Sequence, residues 1–266
     1  MKAKYQPLNT LISLKGKRAL ITGSGAGIGN AIAYRFAEAG ANLELVDIDE
    51  QALRVLKENL VKFNVEINTY KADLSNKKDI DVLWEKLEGK EPAILVNNAG
   101  IYPTKPFLDV DESFLRKTMS INLESVFWMC QHMIKRRLKK GGVIINVGSI
   151  EAVMPFKEEL CHYDISKAGV MVLTRALAHE YGKHGFRINA LVPGGIWTQG
   201  TKRIAKDIIR FKVGVAKSGV EYRMRTPLGR LGHPDEVARM AVVLASDLSS
   251  YVHGTLIVVD GGFLSA

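Results

Sequence analysis

Short apolar runs alternate with longer stretches of helical periodicity along the whole chain. The apolar runs are Arg18–Thr22, Asn42–Asp47, Glu66–Lys71, Ile94–Asn97, Val143–Val147, Arg187–Val192 and Thr255–Val259. Several, such as Val143-Ile144-Ile145, are apolar at nearly every position. Parallel strands covered on both faces read this way, whereas a half-exposed strand alternates. Between the runs, helical patterns span Gly27–Ala39, Glu50–Phe63, Lys77–Glu88, Glu112–Lys139, Cys161–Tyr181 and Pro234–Ala245. His233-Pro234-Asp235-Glu236 marks a helix start, with Pro at the first helical position and acids in the first turn. Strand–helix alternation with right-handed crossovers predicts an α/β fold: one doubly wound parallel sheet of seven strands with helices on both faces. No repeat, low-complexity tract or linker interrupts the pattern. One domain over residues 1–266 is therefore expected, with residues 1–14 a short extension packed on it.

Composition narrows the picture only a little. The 266 residues are 47% hydrophobic and 24% charged, ordinary values for a globular chain. Cys130 and Cys161 are too few for a disulfide framework and lack metal-ligand spacing, so both are expected as buried thiols in a reducing cytosol. No apolar run reaches membrane-spanning length, and Met1–Leu14 lacks a signal-peptide pattern.

In a doubly wound sheet, ligands bind beyond the carboxyl ends of the strands. Thr22-Gly23-Ser24-Gly25-Ala26-Gly27-Ile28-Gly29 follows the first run and opens a helix. Free N–H groups and the helix dipole make such a turn an anion site, and glycine lets the backbone approach a pyrophosphate. The spacing, Gly23-x-x-x-Gly27-x-Gly29, also suits a tight strand-to-helix turn without ligand. Asp47 closes the second run, roughly 20 residues further on, where an acid would accept the adenosine ribose hydroxyls. A carboxylate there repels a 2′-phosphate, Ser24 is neutral, and no Arg or Lys stands between Asp47 and Ala52. That reading gives NAD rather than NADP. The competing role for Asp47 is a helix N-cap, which Asp49 fills better.

Tyr163 and Lys167 are four residues apart, on one face of a predicted helix. A free phenol, with a pKa of about 10, is a poor base at neutral pH. A nearby cation favours the phenolate, so the pair is a candidate proton-transfer device as well as an ordinary helix-face pair.

Taken together these motifs resemble the short-chain dehydrogenase/reductase family, from about Lys15 to Phe263. Asp73-Leu74 resembles its adenine contact. Asn97-Asn98-Ala99-Gly100 resembles its structural and cofactor motif, and Asp260-Gly261-Gly262 its usual ending. Asn122, Ser149, Tyr163 and Lys167 match its catalytic tetrad, and Pro193-Gly194 with Ile196 and Thr198 its nicotinamide-flanking segment. The resemblance implies a Rossmann-type fold and a cofactor site of Gly23, Ser24, Gly27, Ile28, Gly29, Asp47, Ile48, Asp73, Leu74, Asn98, Ala99, Gly100, Tyr163, Lys167, Pro193, Gly194, Ile196 and Thr198. It also implies roles. Tyr163 exchanges a proton with the substrate oxygen. Lys167 lowers the pKa of Tyr163 and holds the nicotinamide ribose. Ser149 hydrogen-bonds the substrate oxygen, and Asn122 positions a water linking Lys167 to solvent. The alternatives for Ser149 and Asn122 are a strand-end turn residue and a helix-kink or cap residue. Most members are homotetramers assembled through the long Glu112–Lys139 helix and the final helix and strand, and a cytoplasmic homotetramer is expected.

The substrate is less legible. Gln199–Arg225 is the expected lid, with eight basic residues, Lys202, Arg203, Lys206, Arg210, Lys212, Lys217, Arg223 and Arg225, against Asp207 and Glu221. Excess positive charge near a cleft attracts anions. A solvated helix face, with Ile204, Ile208, Ile209 and Phe211 turned inward, explains the same pattern and is favoured. Ser149, Glu151, His162 and Trp197 are candidate substrate contacts, with Tyr102, Met154 and Phe156 nearby. Glu151 as a surface acid and His162 as a satisfied helix-start residue are equally open. The polar handles point to a sugar, sugar acid or polyol, with a 3-oxoacyl thioester reductase as the alternative. A non-catalytic NAD-sensing or nucleic-acid-binding Rossmann protein is the alternative of another class. It draws on Lys135-Arg136-Arg137-Leu138-Lys139-Lys140, but those cations also suit a helix C-terminus. No metal site is expected.

Overall fold

The computed structural model describes residues 5–198 and 222–266. Seven parallel strands form one sheet: β1 (Arg18–Thr22), β2 (Asn42–Asp47), β3 (Ile67–Lys71), β4 (Ile94–Asn97), β5 (Gly142–Val147), β6 (Phe186–Pro193) and β7 (Leu256–Val259). Their order is β3-β2-β1-β4-β5-β6-β7. The chain winds outward from β1 to β3, then returns to pair β4 with the free side of β1. That reversal opens a crevice at the carboxyl ends of β1 and β4.

Eight helices are used below: α1 (Leu8–Ile12), α2 (Gly27–Glu38), α3 (Glu50–Leu60), α4 (Lys77–Lys86), α5 (Glu112–Met119), α6 (Ser125–Arg137), α7 (Cys161–Tyr181) and α8 (Pro234–Ala245). Alternate strand residues feed two cores. Ala19 and Ile21 pack with α2, α3 and α8, while Leu20 packs with α4, α6 and α7. Both faces of the central strands are thus buried, the physical reason for their near-continuous apolar runs. Starts are capped where the sequence places small polar side chains. Asp49 accepts from Ala52 N at the start of α3, and His233 with Glu236 forms a capping box at α8.

Two expectations need correction. The stretch from Glu112 is not one continuous helix: a π-helical turn, Ser120–Glu124, joins α5 to α6. Asn122, inside that turn, holds both backbone groups of Ile101, accepting from its N–H and donating to its carbonyl. A side-chain anchor of this kind fixes the extra residue, and apolar periodicity does not mark it. Cys161 is exposed at the first position of α7, whereas Cys130 is fully buried. Of the N-terminal extension, Leu14 packs in the core and donates to Ala39 O, but α1 buries no residue.

The basic run at the end of α6 is engaged structurally. Arg136 lies over the Trp84 ring at 5.4 Å, and Arg137 donates to Gly141 O at 2.8 Å. Among the described residues no helix is long and apolar enough to cross a membrane.

Candidate active site

The crevice is clamped by side chains from both of its strands. Thr22 Oγ1, at the end of β1, accepts from Asn98 N and Ala99 N, each at 3.0 Å. Asn98 Nδ2, just beyond β4, returns bonds to Thr22 O and Gly23 O, each at 3.0 Å. The glycine turn then enters α2 with Ala26 as N-cap. A Cβ on Gly29 would lie 2.1 Å from Gly23 O and 2.5 Å from Asn98 Nδ2, so only glycine lets helix and strand approach this closely. The first N–H groups of α2 have no intrahelical acceptor, which suits them to an anion. Ser24 is buried, with its N–H and hydroxyl both on Val46 O at 3.1 and 3.3 Å.

Asp47 stands against this turn as the spacing predicts. Its Oδ2 accepts from Gly25 N at 2.8 Å and its Oδ1 from Asp49 N at 3.0 Å. Ile48 is exposed beside it. Asp73 holds Ser75 by its N–H and hydroxyl, and Leu74 is buried in the α4-side core.

The proton-handling candidates gather past β5. Ser149 Oγ accepts from Glu151 N at 3.2 Å and is hydrogen-bonded to the Tyr163 hydroxyl. One turn along α7, Lys167 Nζ donates to Val147 O at 2.8 Å and lies 5.9 Å from the Tyr163 ring centroid. Burial pushes the Tyr163 phenol up to about 12, and the Ser149 hydrogen bond pulls the other way. Burial also pushes the Lys167 ammonium down to about 8. Desolvation is thus the largest influence on Tyr163 in the protein alone, and the lowering influence comes from Ser149. Asn122 is fully buried and donates to Ser166 Oγ as well as to Ile101 O. Gly100 lies between it and the lysine; a Cβ there would sit 3.3 Å from Asn122 Oδ1 and 3.5 Å from Lys167 Nζ.

Ser149, Tyr163 and Lys167 share one cavity of about 570 Å³ with Ile28, Asn98, Gly100, Pro193, Gly194, Ile196 and Thr198. Of these, Pro193, Gly194, Ile196 and Thr198 are the residues expected to flank a nicotinamide. The far wall is aromatic. Tyr102 packs edge-on against Tyr163 at 4.6 Å, and Phe156, Tyr222 and Phe263 form a cluster. Tyr222 Oη accepts from Gly195 N.

The substrate candidates divide. Glu151 is buried in the cavity wall rather than solvated, with Oε2 accepting from Phe156 N at 2.9 Å and Lys157 N at 3.4 Å. His162 does not reach the cavity: it is buried at the start of α7, with Nε2 on Pro103 O at 2.8 Å and its ring against Phe114. One position before Tyr163 on a helix turns a side chain by about 100°, away from the tyrosine's face. Trp197 is 44% exposed and also lies outside the lining, which takes Ile196 and Thr198 instead. Within the expected lid, residues 199–221 lie outside the described residues, including six of its basic side chains. Arg225 is engaged, contacting Met154 Sδ and the Phe263 ring. Lys157 and Tyr222 line the cavity without having been marked by any motif. For Lys157 the available signal is its position in the loop joining Ser149 to Tyr163. Among the described residues no three His, Cys, Asp or Glu side chains gather as a metal site.

The chain is similar to known proteins along nearly its whole length. The family model described as Enoyl-(Acyl carrier protein) reductase matches residues 23–264. A 2-dehydro-3-deoxy-D-gluconate 5-dehydrogenase of Dickeya dadantii is 36% identical over 97% of this chain and 99% of its own. A 3beta-hydroxysteroid dehydrogenase 2 of Eggerthella lenta is 32% identical over 98% of both chains. The crystal structure of L-sorbose reductase from Gluconobacter frateurii, complexed with NADPH and L-sorbose, superposes with a TM-score of 0.89 at 30% identity, covering 96% and 99%. The chain belongs to the short-chain dehydrogenase/reductase family and has its Rossmann-type sheet. It is an oxidoreductase of the kind that uses a nicotinamide cofactor on a CH–OH group.

Proposed function

We propose that this enzyme interconverts a secondary alcohol and a carbonyl on a sugar, sugar acid or polyol, with NAD(H) as cofactor. The observation that carries the reading is the meeting of Ser149, Tyr163 and Lys167 in one cavity, with Glu151 buried in its wall. A buried carboxylate beside the reacting group suits a hydroxyl-rich substrate better than an apolar one.

The chain's own groups fit a dinucleotide. The Gly29 close approach and the start of α2 suit a pyrophosphate, and Asp47 beside Gly25 suits the ribose hydroxyls. Ile48, Asp73, Leu74, Asn98 and Ala99 complete the adenosine side, and Pro193, Gly194, Ile196 and Thr198 the nicotinamide side. No cation stands between Asp47 and Ala52 to meet a 2′-phosphate, which supports NAD over NADP. When bound, the nicotinamide exchanges hydride with the carbinol carbon.

In oxidation Tyr163, as phenolate, takes the hydroxyl proton; in reduction the neutral phenol gives its proton to the carbonyl oxygen. Ser149 donates to the same oxygen and stabilises the charge that develops there. Lys167, with one N–H on Val147 O, has two further donors for the nicotinamide ribose. Asn122 holds the Ile101 backbone and Ser166, and with Gly100 it would shape the route from Lys167 to solvent.

We read the whole chain as one catalytic unit working as a homotetramer in the cytosol. Exposed Phe127 on α6, exposed Ile165 and Val172 on α7, and half-open Val258 on edge strand β7 support the assembly. Two free thiols suit a reducing compartment. Steady-state turnover with NAD⁺ and NADP⁺ across sugars, sugar acids, polyols, secondary alcohols and 3-hydroxyacyl thioesters tests the reading. NAD-linked oxidation of a sugar, sugar acid or polyol is expected; preference for NADP with a thioester would replace it with a 3-oxoacyl thioester reductase.

A further inference from the structure

The loop between Ser149 and Tyr163 sets two opposite charges in the cavity wall, Glu151 and Lys157. Both are held by geometry. Glu151 is buried, and its Oε2 takes two backbone N–H bonds from Phe156 and Lys157. That fixes the carboxylate plane and leaves Oε1 with no donor among the described residues. Lys157 is half-buried, its ammonium 5.2 Å from the centroid of the Tyr102 ring. The same Tyr102 ring packs edge-on against Tyr163, so the ammonium stands one ring away from the reacting phenol.

Lys157 forms no ion pair or hydrogen bond through Nζ among the described residues, although Glu151 and Glu159 are near enough to favour its charge. A half-desolvated cation without a direct partner is costly, and an arriving anion offsets that cost. The ring beneath it supplies a weaker cation–π contact, which positions the ammonium without neutralising it. Burial of Lys157 lowers its pKa and burial of Glu151 raises its own, so each group is short of solvent.

The pair discriminates among substrates. A steroid or a simple secondary alcohol would cover both charges and satisfy neither. A neutral polyol satisfies Glu151 through a hydroxyl and leaves Lys157 unmatched. A polyhydroxylated carboxylic acid satisfies both, with its carboxylate on Lys157 and a hydroxyl on Glu151.

Resting on the sugar-class reading above, we propose that Lys157 is the anion-recognising residue of this site and that the substrate is a sugar acid, oriented by its carboxylate on Lys157 and a hydroxyl on Glu151. The anion-recognising charge is thereby assigned to the loop between the catalytic residues.

The test is steady-state kinetics on six-carbon aldonates and the corresponding alditols, comparing wild type with Lys157→Met, Lys157→Arg and Glu151→Gln. Methionine keeps the apolar stem over Tyr102 and removes only the charge. In Lys157→Met the ratio of aldonate to alditol kcat/KM should fall by about tenfold to a hundredfold, mainly through KM, since hydrogen bonds to charged groups carry that much. Lys157→Arg should restore most of the ratio. Glu151→Gln should raise KM for both classes. An unchanged ratio in Lys157→Met, or a wild type that oxidises alditols but not aldonates, would overturn the role of Lys157 and leave the sugar-class reading standing. A wild type inert towards both classes but active on steroids, simple alcohols or thioesters would overturn that reading, and this inference with it.

Discussion

Lys167 Nζ lies 5.9 Å from the ring centroid of Tyr163, one turn along the same helix, and burial drives the two groups in opposite directions. The phenol is pushed up to about 12 and the ammonium down to about 8, so below pH 8 the free enzyme holds a neutral phenol beside a cation. That is the acid form, ready to protonate a carbonyl oxygen. For reduction, kcat/KM should be flat below about pH 8 and fall above it as Lys167 loses its proton. A pH–rate profile in which activity rises through that region would contradict the assignment.

The same shift has a stability consequence. Lys167 titrates near 8 in the fold against 10.5 when free, so between those values the unfolded chain binds more protons. This group's contribution therefore becomes more favourable as pH rises from about 8 to about 10.5, and its cost is fully present below 8. Lys167→Met should stabilise the fold at pH 7 by on the order of 1–3 kcal/mol while abolishing turnover. Denaturant titrations at pH 7 and pH 10 should show that gain shrinking at the higher pH. A gain that is equal at both would refute the burial argument.

Tyr163→Phe keeps the ring that Tyr102 packs against and removes only the hydroxyl. Turnover should drop by about 10²–10⁴-fold, the range for a lost general acid–base group. Cofactor affinity, read by fluorescence titration, should stay within a factor of about two. Full activity in this variant would remove Tyr163 from the chemistry.

Asp47→Ser tests the cofactor. The carboxylate accepts from Gly25 N and Asp49 N, so serine also loosens the turn, and thermal unfolding must be measured alongside. The NAD-to-NADP ratio of kcat/KM should fall by about tenfold to a hundredfold as charge repulsion of a 2′-phosphate is lost. An unchanged ratio would mean that cofactor choice lies elsewhere.

Much of this site was legible because its signals are local. Glycine spacing, the acid closing β2 and the Tyr163–Lys167 interval each follow from one element, and all seven strands begin within one residue of the apolar runs. What periodicity missed depends on contacts distant in sequence. The π-turn at Ser120–Glu124 is held by Asn122 reaching back to Ile101. Tyr222 enters the cavity by packing on Phe263. His162 was open between pocket and core, and a carbonyl on Pro103, 59 residues away, decides it. Lys157 has no spacing rule at all; only the fold of its loop brings it beside Tyr102.

Assembly gives the last prediction. Ile165 and Val172 are seven residues apart on α7, hence on one face, and both are more than half exposed, while the opposite face of α7 packs in the core. Phe127 on α6 is open as well. Apolar side chains on two long helices form a surface of the kind that isologous subunit contacts bury. A glutamate at each α7 position would set like charges against their symmetry mates across such an interface. The Ile165→Glu/Val172→Glu protein should therefore sediment as a smaller species than the wild type. A wild type that sediments as a monomer at micromolar concentration would refute the tetramer, and an unaltered tetramer in the variant would move the interface off α7.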